Sequence, residues 1–568
     1  MAAIPFSLHI RTMTSRRDFL QVSAGSLLAS TLPATPSADQ ATAPATLLDL
    51  ARGPDAVSVR TASGEQQLAR AGADRWEGKG ISIRMVTVPG ALRIELSAPS
   101  VAVARVGLRW RGRLDRTRLI LGDAWERGYG DLEWRGFVPD RVMPWYLLAY
   151  DGERTDGYGV RTGAAAFCSW QVDPAGISLW ADIRSGGVPV QLGERTLRVC
   201  DVVCRAGRNG ESPFAALRAF CRQMCAKPLL PTQPVYGSND WYWAYGKNSA
   251  ASTLTDAHRV VDLSPSGGNR PIVVIDDGWQ PGRGASKAGA GNWDRGNENF
   301  PDMPGLVAQV KQIGGRLGAW IRPLEAADTV PESWRLVRER SVLDPTVPAV
   351  REKITADMAR LRSWGMELIK HDYSTWDIFG RWGFSMGSSL TKDGWSFAEG
   401  ARRTTAEVIT AMYQDIRTGA GDTLIIGCNT VSHLSAGVFE LCRIGDDVGG
   451  PDWSRTRRMG VNTIGFRIAQ HGAFYAADAD CASLTAGVPW ELSRQWLDLV
   501  TRSGTPLFIS VAKDAVGDEQ RRALTAALAL AATPQPLGEP VDWMKTTWPS
   551  SWKFSGITHA YDWGPAEG

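Results

Sequence analysis

Met366-Glu-Leu-Ile-Lys-His-Asp-Tyr-Ser374 decides how the chain is read, because a short apolar run here ends abruptly in a lysine, a histidine and a carboxylate. A buried strand hides Leu368 and Ile369 in a core. The polar residues then emerge at its C-terminal end, where (β/α)8 barrels place their active sites. Asp372 is therefore the first catalytic candidate. A single aspartate at such a place can equally cap the next helix, so the reading depends on how many similar strand ends surround it.

Outward from this stretch, everything after Pro234 alternates between short apolar runs and amphipathic segments. Strands are expected at 235–243, 272–279, 317–323, 367–373, 424–429, 441–447, 473–479 and 506–511, with helices at 302–313, 348–364, 398–416, 455–470 and 491–502. Eight strands joined by crossover helices predict a (β/α)8 TIM barrel over 231–535. An open doubly wound sheet is the structural alternative, but no glycine fingerprint follows the first strand. Upstream, alternating runs at 81–88, 91–96, 102–110, 164–172, 176–183 and 195–203 predict an all-β region. The simplest form is an N-terminal β-sandwich over 44–230, ending in a linker helix at 213–227. Residues 536–568 form a short C-terminal extension, a reduced or truncated β-domain. The expected fold class is thus multidomain, a β-sandwich followed by a TIM barrel.

With 568 residues, 43% of them hydrophobic, the chain can bury large cores. Its 63 basic and 60 acidic residues give a formal charge of +3, which offers no field for nucleic acid or anionic membrane. The 24 tryptophans are the compositional outlier. Flat apolar faces of this kind suit sugar rings, although most tryptophans serve as core.

Ser15-Arg-Arg-Asp-Phe-Leu20 is a twin-arginine pattern, followed by an apolar run over 19–32 and a small, Pro-broken segment over 33–45. Residues 1–43 therefore read as an export signal and processing segment, with Met1 or Met13 as the start and a periplasmic or secreted destination. No other 18-residue apolar window exists, so no membrane span is expected. The 8 cysteines form no zinc or redox spacing: Cys200 with Cys204 and Cys221 with Cys225 have three-residue gaps. Buried thiols are the expectation, and an exported protein leaves room for a disulfide.

Polar residues cluster at the strand ends of the barrel region. The second strand ends Asp276-Asp277-Gly-Trp279, the third Trp320-Ile-Arg322, the fourth Lys370-His371-Asp372, the sixth Arg443-Ile-Gly-Asp446-Asp447 and the seventh Asp478-Ala-Asp480. Five such endings on one face make an acidic cleft with basic and aromatic walls. Histidine is scarce and no ligand-spaced His/Cys set exists, so no metal or other cofactor is expected, a calcium or magnesium site being the minor alternative. Retaining glycoside hydrolysis needs two carboxyls about 5–5.5 Å apart, one nucleophile and one acid/base. The fourth and sixth strands can supply that pair.

The ordered set Asp276-Asp-Gly-Trp279, Gly291-Asn-Trp293, Asn299-Phe-Pro301, Arg316-Leu-Gly-Ala-Trp320, Leu343-Asp-Pro345, Ile369-Lys-His-Asp372 and Arg443-Ile-Gly-Asp-Asp447 resembles the α-galactosidases of glycoside hydrolase families 27 and 36, including the raffinose synthase branch. The resemblance covers about 235–510, and the β-region before it is similar to the N-terminal domain of the family 36 type. It implies Asp372 as nucleophile and Asp446 as acid/base, with Asp447 the alternative. It also implies that Asp276 and Asp277 bind the galactose 4- and 6-hydroxyls, that Lys370 and Arg443 grip the ring, and that Trp243 or Trp241, with Trp279 and Trp320, shape the sugar subsite.

The chain departs from the family in three places. It reads Arg322-Pro-Leu324 where family 36 has Glu after the proline, Cys428-Asn-Thr430 in place of Cys-Ser-Gly-Gly, and His371 where an aromatic is usual. The resemblance thus specifies the reaction more sharply than the sugar. The expected partner is an oligosaccharide or glycoside, and the oligomeric state is open. The expected function is retaining hydrolysis of terminal α-galactosides. An α-galactosyl transglycosylase and a non-catalytic sugar-binding protein are the alternatives, separable by product analysis and by binding without turnover.

Overall fold

The computed structural model describes residues 48–114, 116–283, 289–392 and 394–564. The twin-arginine stretch lies outside the described residues. From Ala56 to Arg205 the chain builds two antiparallel sheets, of six and eight strands. Their strands follow the apolar alternation. Ile81–Val88 buries Ile81, Ile83 and Met85 on one face, exposes Arg84 on the other, and pairs through a two-residue turn with Ala91–Ser97. Helix Pro213–Met224 starts on a Ser212 cap with proline in its first turn. It buries Phe214, Leu217, Phe220, Cys221 and Met224, so Cys221 faces the core as its spacing predicts. All eight cysteines are free thiols.

The second half is built on one parallel sheet. Its strands are β1 (Tyr236–Asn239), β2 (Ile272–Ile275), β3 (Arg316–Ile321), β4 (Leu368–His371), β5 (Leu424–Gly427), β6 (Leu441–Arg443), β7 (Ala476–Asp478), β8 (Cys481–Leu484) and β9 (Leu507–Val511). They pair in the order β7-β6-β5-β4-β3-β2-β1-β9-β8. The two outermost strands, β7 and β8, are separated in the chain only by Ala479 and Asp480. The sheet therefore curls until both edges meet at one kink, where Asp480 takes a left-handed backbone (φ 73°). Eight strands are expected from the sequence; β8 is a ninth, which follows the expected seventh strand directly after the Asp480 kink.

Other boundaries also shift. The expected strand 235–243 stops at Asn239, and Trp241–Ala244 is a helical turn, because Asn239 Oδ1 accepts from the Trp241 amide at 3.0 Å and turns the chain. The expected helix 398–416 starts later, at Thr405, where Thr404 and Glu407 form a reciprocal capping box. The expected helix 455–470 is a succession of short pieces, one of them π-helical over Thr456–Val461. Helices Ala250–Leu263 and Asp518–Ala531 are additional to those expected. A three-stranded antiparallel sheet, Glu539–Pro540, Ser551–Phe554 and Ile557–Ala560, occupies the C-terminal extension. Among the described residues no helix is long and apolar enough to cross a membrane. A cavity of about 450 Å³ lined by Val235, Arg316, Met366, Glu367 and Leu424 lies at the N-terminal ends of the strands, away from the polar strand ends.

Two histidines in this core make folding pH-sensitive. His371 is fully buried, neither ring nitrogen has a hydrogen-bond partner among the described residues, and it packs edge-on against Tyr413 and Phe439. It fills an aromatic's place, and burial pushes its pKa down to about 3. His433, stacked on Trp145 with ring centres 4.8 Å apart, is pushed down to about 4 by burial. In both cases the unfolded chain binds the proton more readily, so this stability is complete above about pH 6.5 and is lost as the pH falls. Denaturant unfolding at pH 5 is expected to show a loss of roughly 2 kcal/mol per histidine relative to pH 7. His371→Phe is expected to remove its share of that pH dependence, and an unchanged slope between pH 7 and pH 5 would count against this account.

Candidate active site

The C-terminal ends of the parallel strands carry nearly all the expected polar residues. Asp372 directly follows β4. The Trp320 indole N–H donates to its Oδ2 at 3.0 Å and the Tyr373 backbone N–H to its Oδ1 at 2.7 Å, so the carboxylate is fixed from two sides. Trp279 stands one layer further back. It is fully buried, and its indole donates to the Trp320 carbonyl at 2.8 Å. It supports Trp320 instead of lining a sugar subsite as expected.

Asp276, after β2, receives Lys370 Nζ at 2.5 Å and Asn239 Nδ2 at 2.8 Å on one oxygen, while its other oxygen accepts the Asp277 amide at 2.8 Å. Lys370 is thus the partner of Asp276, not of Asp372 as its position two residues away suggests, although Asp372 also contributes to its electrostatic environment. Beneath them lies Asp240, which accepts the Asp276 amide at 2.8 Å and Asn248 Nδ2 at 3.0 Å. Burial, reinforced by the Asp276 charge, pushes Asp240 up to about 8. The raised pKa favours its protonated form and so limits the negative charge opposite Lys370. Asp277 is gripped by Arg283, whose Nε lies 2.9 Å from Oδ1, and by Gln280 at 2.6 Å.

After β6, the fully buried Arg443 serves three carboxylates: Asp480 at 2.6 Å, Asp447 at 3.2 Å and Asp478 at 3.3 Å. The Tyr242 hydroxyl donates to Asp480 as well. Asp446 and Asp447 differ sharply. Asp446 has Arg127 at 2.7 Å on one oxygen and Arg455 at 2.8 Å on the other, and its side chain is 15% exposed. Asp447 is 37% exposed and held more loosely, by Arg443 and, at 3.7 Å, by Arg127. Burial pushes the Asp447 carboxyl up, but Arg443, Arg127, Lys370 and Arg455 outweigh it and hold it below the usual carboxylate range. Both Asp372 and Asp447 act on the Tyr373 phenol, which burial and these two charges raise above its ordinary value.

The tryptophans after β1 also depart from expectation. Trp243 turns its indole to Asp256 on helix Ala250–Leu263, at 3.1 Å, and so points away from the cluster. Its neighbour Tyr242 faces Asp480 instead. Trp241 is half-buried beside Tyr245, with ring centres 5.3 Å apart. Arg322 pairs with Asp377 at 2.6 Å and lies 4.7 Å over the Tyr373 ring. Of the six non-glycine residues in the left-handed region among the described residues, three (Tyr245, Tyr373 and Asp480) follow strands of this sheet at its polar end. Backbone strain of this kind concentrates at functional sites.

This arrangement can be compared with known proteins. The sequence matches no protein-family model and no curated protein. Among solved structures, an α-galactosidase from Thermus thermophilus in complex with p-nitrophenyl α-D-galactopyranoside superposes with a TM-score of 0.58 at 16% identity, covering 89% of this chain and 99% of that one. The chain has the fold of the α-galactosidases. A family GH36 α-galactosidase variant from Geobacillus stearothermophilus in complex with stachyose gives a TM-score of 0.53 at 13% identity, covering 84% of this chain and 75% of that one. An α-galactosidase from Lactobacillus brevis gives 0.54 at 13%, covering 84% of this chain and 72% of that one.

Within this α-galactosidase fold, the sequence reading missed a wedge from the antiparallel half. Gly128 forms a parallel bridge with Gly445: its amide donates to the Ile444 carbonyl at 2.8 Å and its carbonyl accepts from the Asp446 amide at 2.9 Å. A Cβ on Gly445 would come within 2.3 Å of Thr463 Oγ1, and one on Gly128 within 2.6 Å of Thr463 Cγ2, so the approach depends on both glycines. The wedge carries Arg127 to Asp446 and Asp447. It also buries Glu126 completely, where the carboxylate accepts from Asn429, from Tyr129 OH and from the Gly383 amide at 2.8 Å. The local signal was Trp125-Glu-Arg-Gly-Tyr-Gly130, a non-alternating, charged and glycine-rich run inside an otherwise alternating β-region.

Proposed function

We propose that the chain is a retaining glycoside hydrolase acting on terminal α-galactosides, with Asp372 as nucleophile and Asp447 as acid/base. The curled sheet is then a (β/α)8 barrel with a ninth strand after the Asp480 kink, preceded by a β-sandwich. One observation carries the reading. A carboxylate held by an indole and a backbone amide at the end of β4, and a second carboxylate at the end of β6, both act on the Tyr373 phenol. Two carboxyls at the mouth of one barrel are what a double-displacement mechanism uses, one to form the glycosyl-enzyme and one to pass the proton. The complexes that structural neighbours form with p-nitrophenyl α-D-galactopyranoside and stachyose support the substrate class.

Asp446 fits the acid/base role less well than its neighbour. Both of its oxygens are occupied by guanidiniums, leaving none to protonate a leaving group. Asp276, with Lys370 and Asn239 around it, and Asp277 are the groups that read the sugar's 4- and 6-hydroxyls. Arg283 is 44% exposed, and such half-open ion pairs contribute only about 0–1 kcal/mol, so a hydroxyl can take its place on Asp277.

The test is a panel of aryl α-glycosides that differ at C4. The galactoside is expected to be cleaved at least about 100-fold faster than the glucoside, since a buried carboxylate left without its hydroxyl loses about 3 kcal/mol or more. Preference for the glucoside would end the α-galactosidase reading while leaving a retaining glycosidase standing. Residues 1–43 are read as a twin-arginine export signal, and a reporter fused to them that stayed in the cytoplasm would overturn that.

A further inference from the structure

The long connection between β4 and helix Thr405–Ala420 carries an aromatic cluster of which only Tyr373 has a role above. Tyr373, Trp376 and Trp382 are all half-buried, and Phe384 is 62% exposed. Trp376 and Trp382 lie with ring centres 4.5 Å apart at 32°, and Trp382 stands 6.0 Å from Tyr373. Apolar rings with no further function are normally driven into a core. Four of them left partly open side by side mark a binding surface.

Two links join this shelf to the chemistry. Tyr373 is the residue after Asp372, and its amide holds that carboxylate. Arg127 lies with its Cζ 5.3 Å over the Trp382 ring while its guanidinium reaches Asp446 at 2.7 Å and Asp447 at 3.7 Å. The shelf itself is fixed to the wedge, since the amide of Gly383, next to Trp382, donates to the buried Glu126 at 2.8 Å, and Phe384 packs edge-on against Tyr129 at 4.9 Å. A rigid aromatic surface thus begins where the nucleophile ends and touches the residue that pairs with the acid/base.

We propose that Trp382 and Trp376 form the leaving-group subsite, which holds a pyranose ring or an aryl aglycone while Asp447 protonates the bond to it. This rests on the assignment of Asp372 and Asp447 above. The occupant follows from continuity with the site: the group expelled from the galactosyl carbon must lie on the acid/base side, and the surface found there is flat and apolar, suited to the C–H face of a sugar or to an aromatic ring. Glutamine, asparagine and carboxylate side chains, which would fix one particular pattern of hydroxyls, do not appear among these four residues. The subsite therefore selects for a flat group and not for one particular sugar.

The test compares an α-galactosyl disaccharide with α-galactosyl fluoride, whose leaving group is a single atom and has nothing to place on the shelf. In Trp382→Ala and, independently, Trp376→Ala, the ratio of kcat/KM for the disaccharide to that for the fluoride is expected to fall at least tenfold. Trp382→Phe is expected to keep the ratio within threefold of wild type. An unchanged ratio in both alanine variants overturns the proposal, as does a fall that Trp382→Phe fails to rescue. A wild type that cleaves neither substrate overturns the assignment of the site and the subsite with it. A wild type active on both with unaltered ratios overturns the subsite alone.

Discussion

Asp372→Asn is expected to fold normally and to lose α-galactoside turnover by a factor on the order of 10⁴ or more, the scale seen when a nucleophile is removed from a covalent mechanism. The amide is nearly isosteric. One of the two donors, the Trp320 indole or the Tyr373 amide, can still donate to its single oxygen, so positioning is partly preserved while the ability to attack is lost. Binding is expected to survive, because Asp276, Lys370 and Arg443 are untouched. In the wild type, a 2-deoxy-2-fluoro galactosyl donor with an activated leaving group is expected to leave its sugar on Asp372, as shown by mass spectrometry of the peptide containing it. Label on another carboxylate, or near wild-type rates in Asp372→Asn, would move the nucleophile elsewhere and with it the reading of the β4 strand end.

Much of this site is legible in the sequence because strand ends are local. Leu368 and Ile369 are fully buried, and Lys370 and Asp372 reach the polar end where a short apolar run predicts, while His371 between them turns into the core. The same logic finds Asp276, Arg443 and Asp447. It fails where a residue's partner lies far away in the chain. Glu126 meets Asn429 across 303 residues, and nothing around Glu126 announces that contact. It also fails where side-chain direction depends on a turn. Trp241 and Trp243 read as strand residues because aromatic residues favour strands, yet the Asn239 side chain starts a helical turn that sends Trp243 to Asp256 and brings Tyr242 to Asp480. The pairing of Lys370 depends on distant strands in the same way. Spacing of two places Lys370 and Asp372 on one side of a strand, but the sheet order sets β3 and then β2 beside β4, and Lys370 reaches across to Asp276.

The neighbours Asp446 and Asp447 give the sharpest separation of mechanism from scaffolding. A general acid contributes about 10²–10⁴ to rate, and its loss is felt most when the leaving group is poor. Asp447→Ala is therefore expected to lower kcat/KM for an α-galactosyl disaccharide by that factor. It is expected to spare an activated aryl galactoside at the first step, and to respond to added azide, which takes the place of base-assisted water at the second. Arg443, Arg127, Lys370 and Arg455 hold Asp447 below the usual carboxylate range, so its protonated form is scarce at neutral pH. Disaccharide cleavage is accordingly expected to rise toward acid pH, against the loss of stability caused by His371 and His433. Asp446→Ala is expected to behave differently. It removes the shared partner of Arg127 and Arg455, and Arg127 is only 5% exposed, so a nearly buried guanidinium loses its closest counter-charge. Breaking a buried pair of this kind costs about 3–5 kcal/mol. Lower unfolding stability and a loss of activity independent of the leaving group are the expected signs, without azide rescue. If instead Asp446→Ala shows dependence on the leaving group and azide rescue while Asp447→Ala does not, the acid/base is Asp446, and the two guanidiniums must release it when substrate binds.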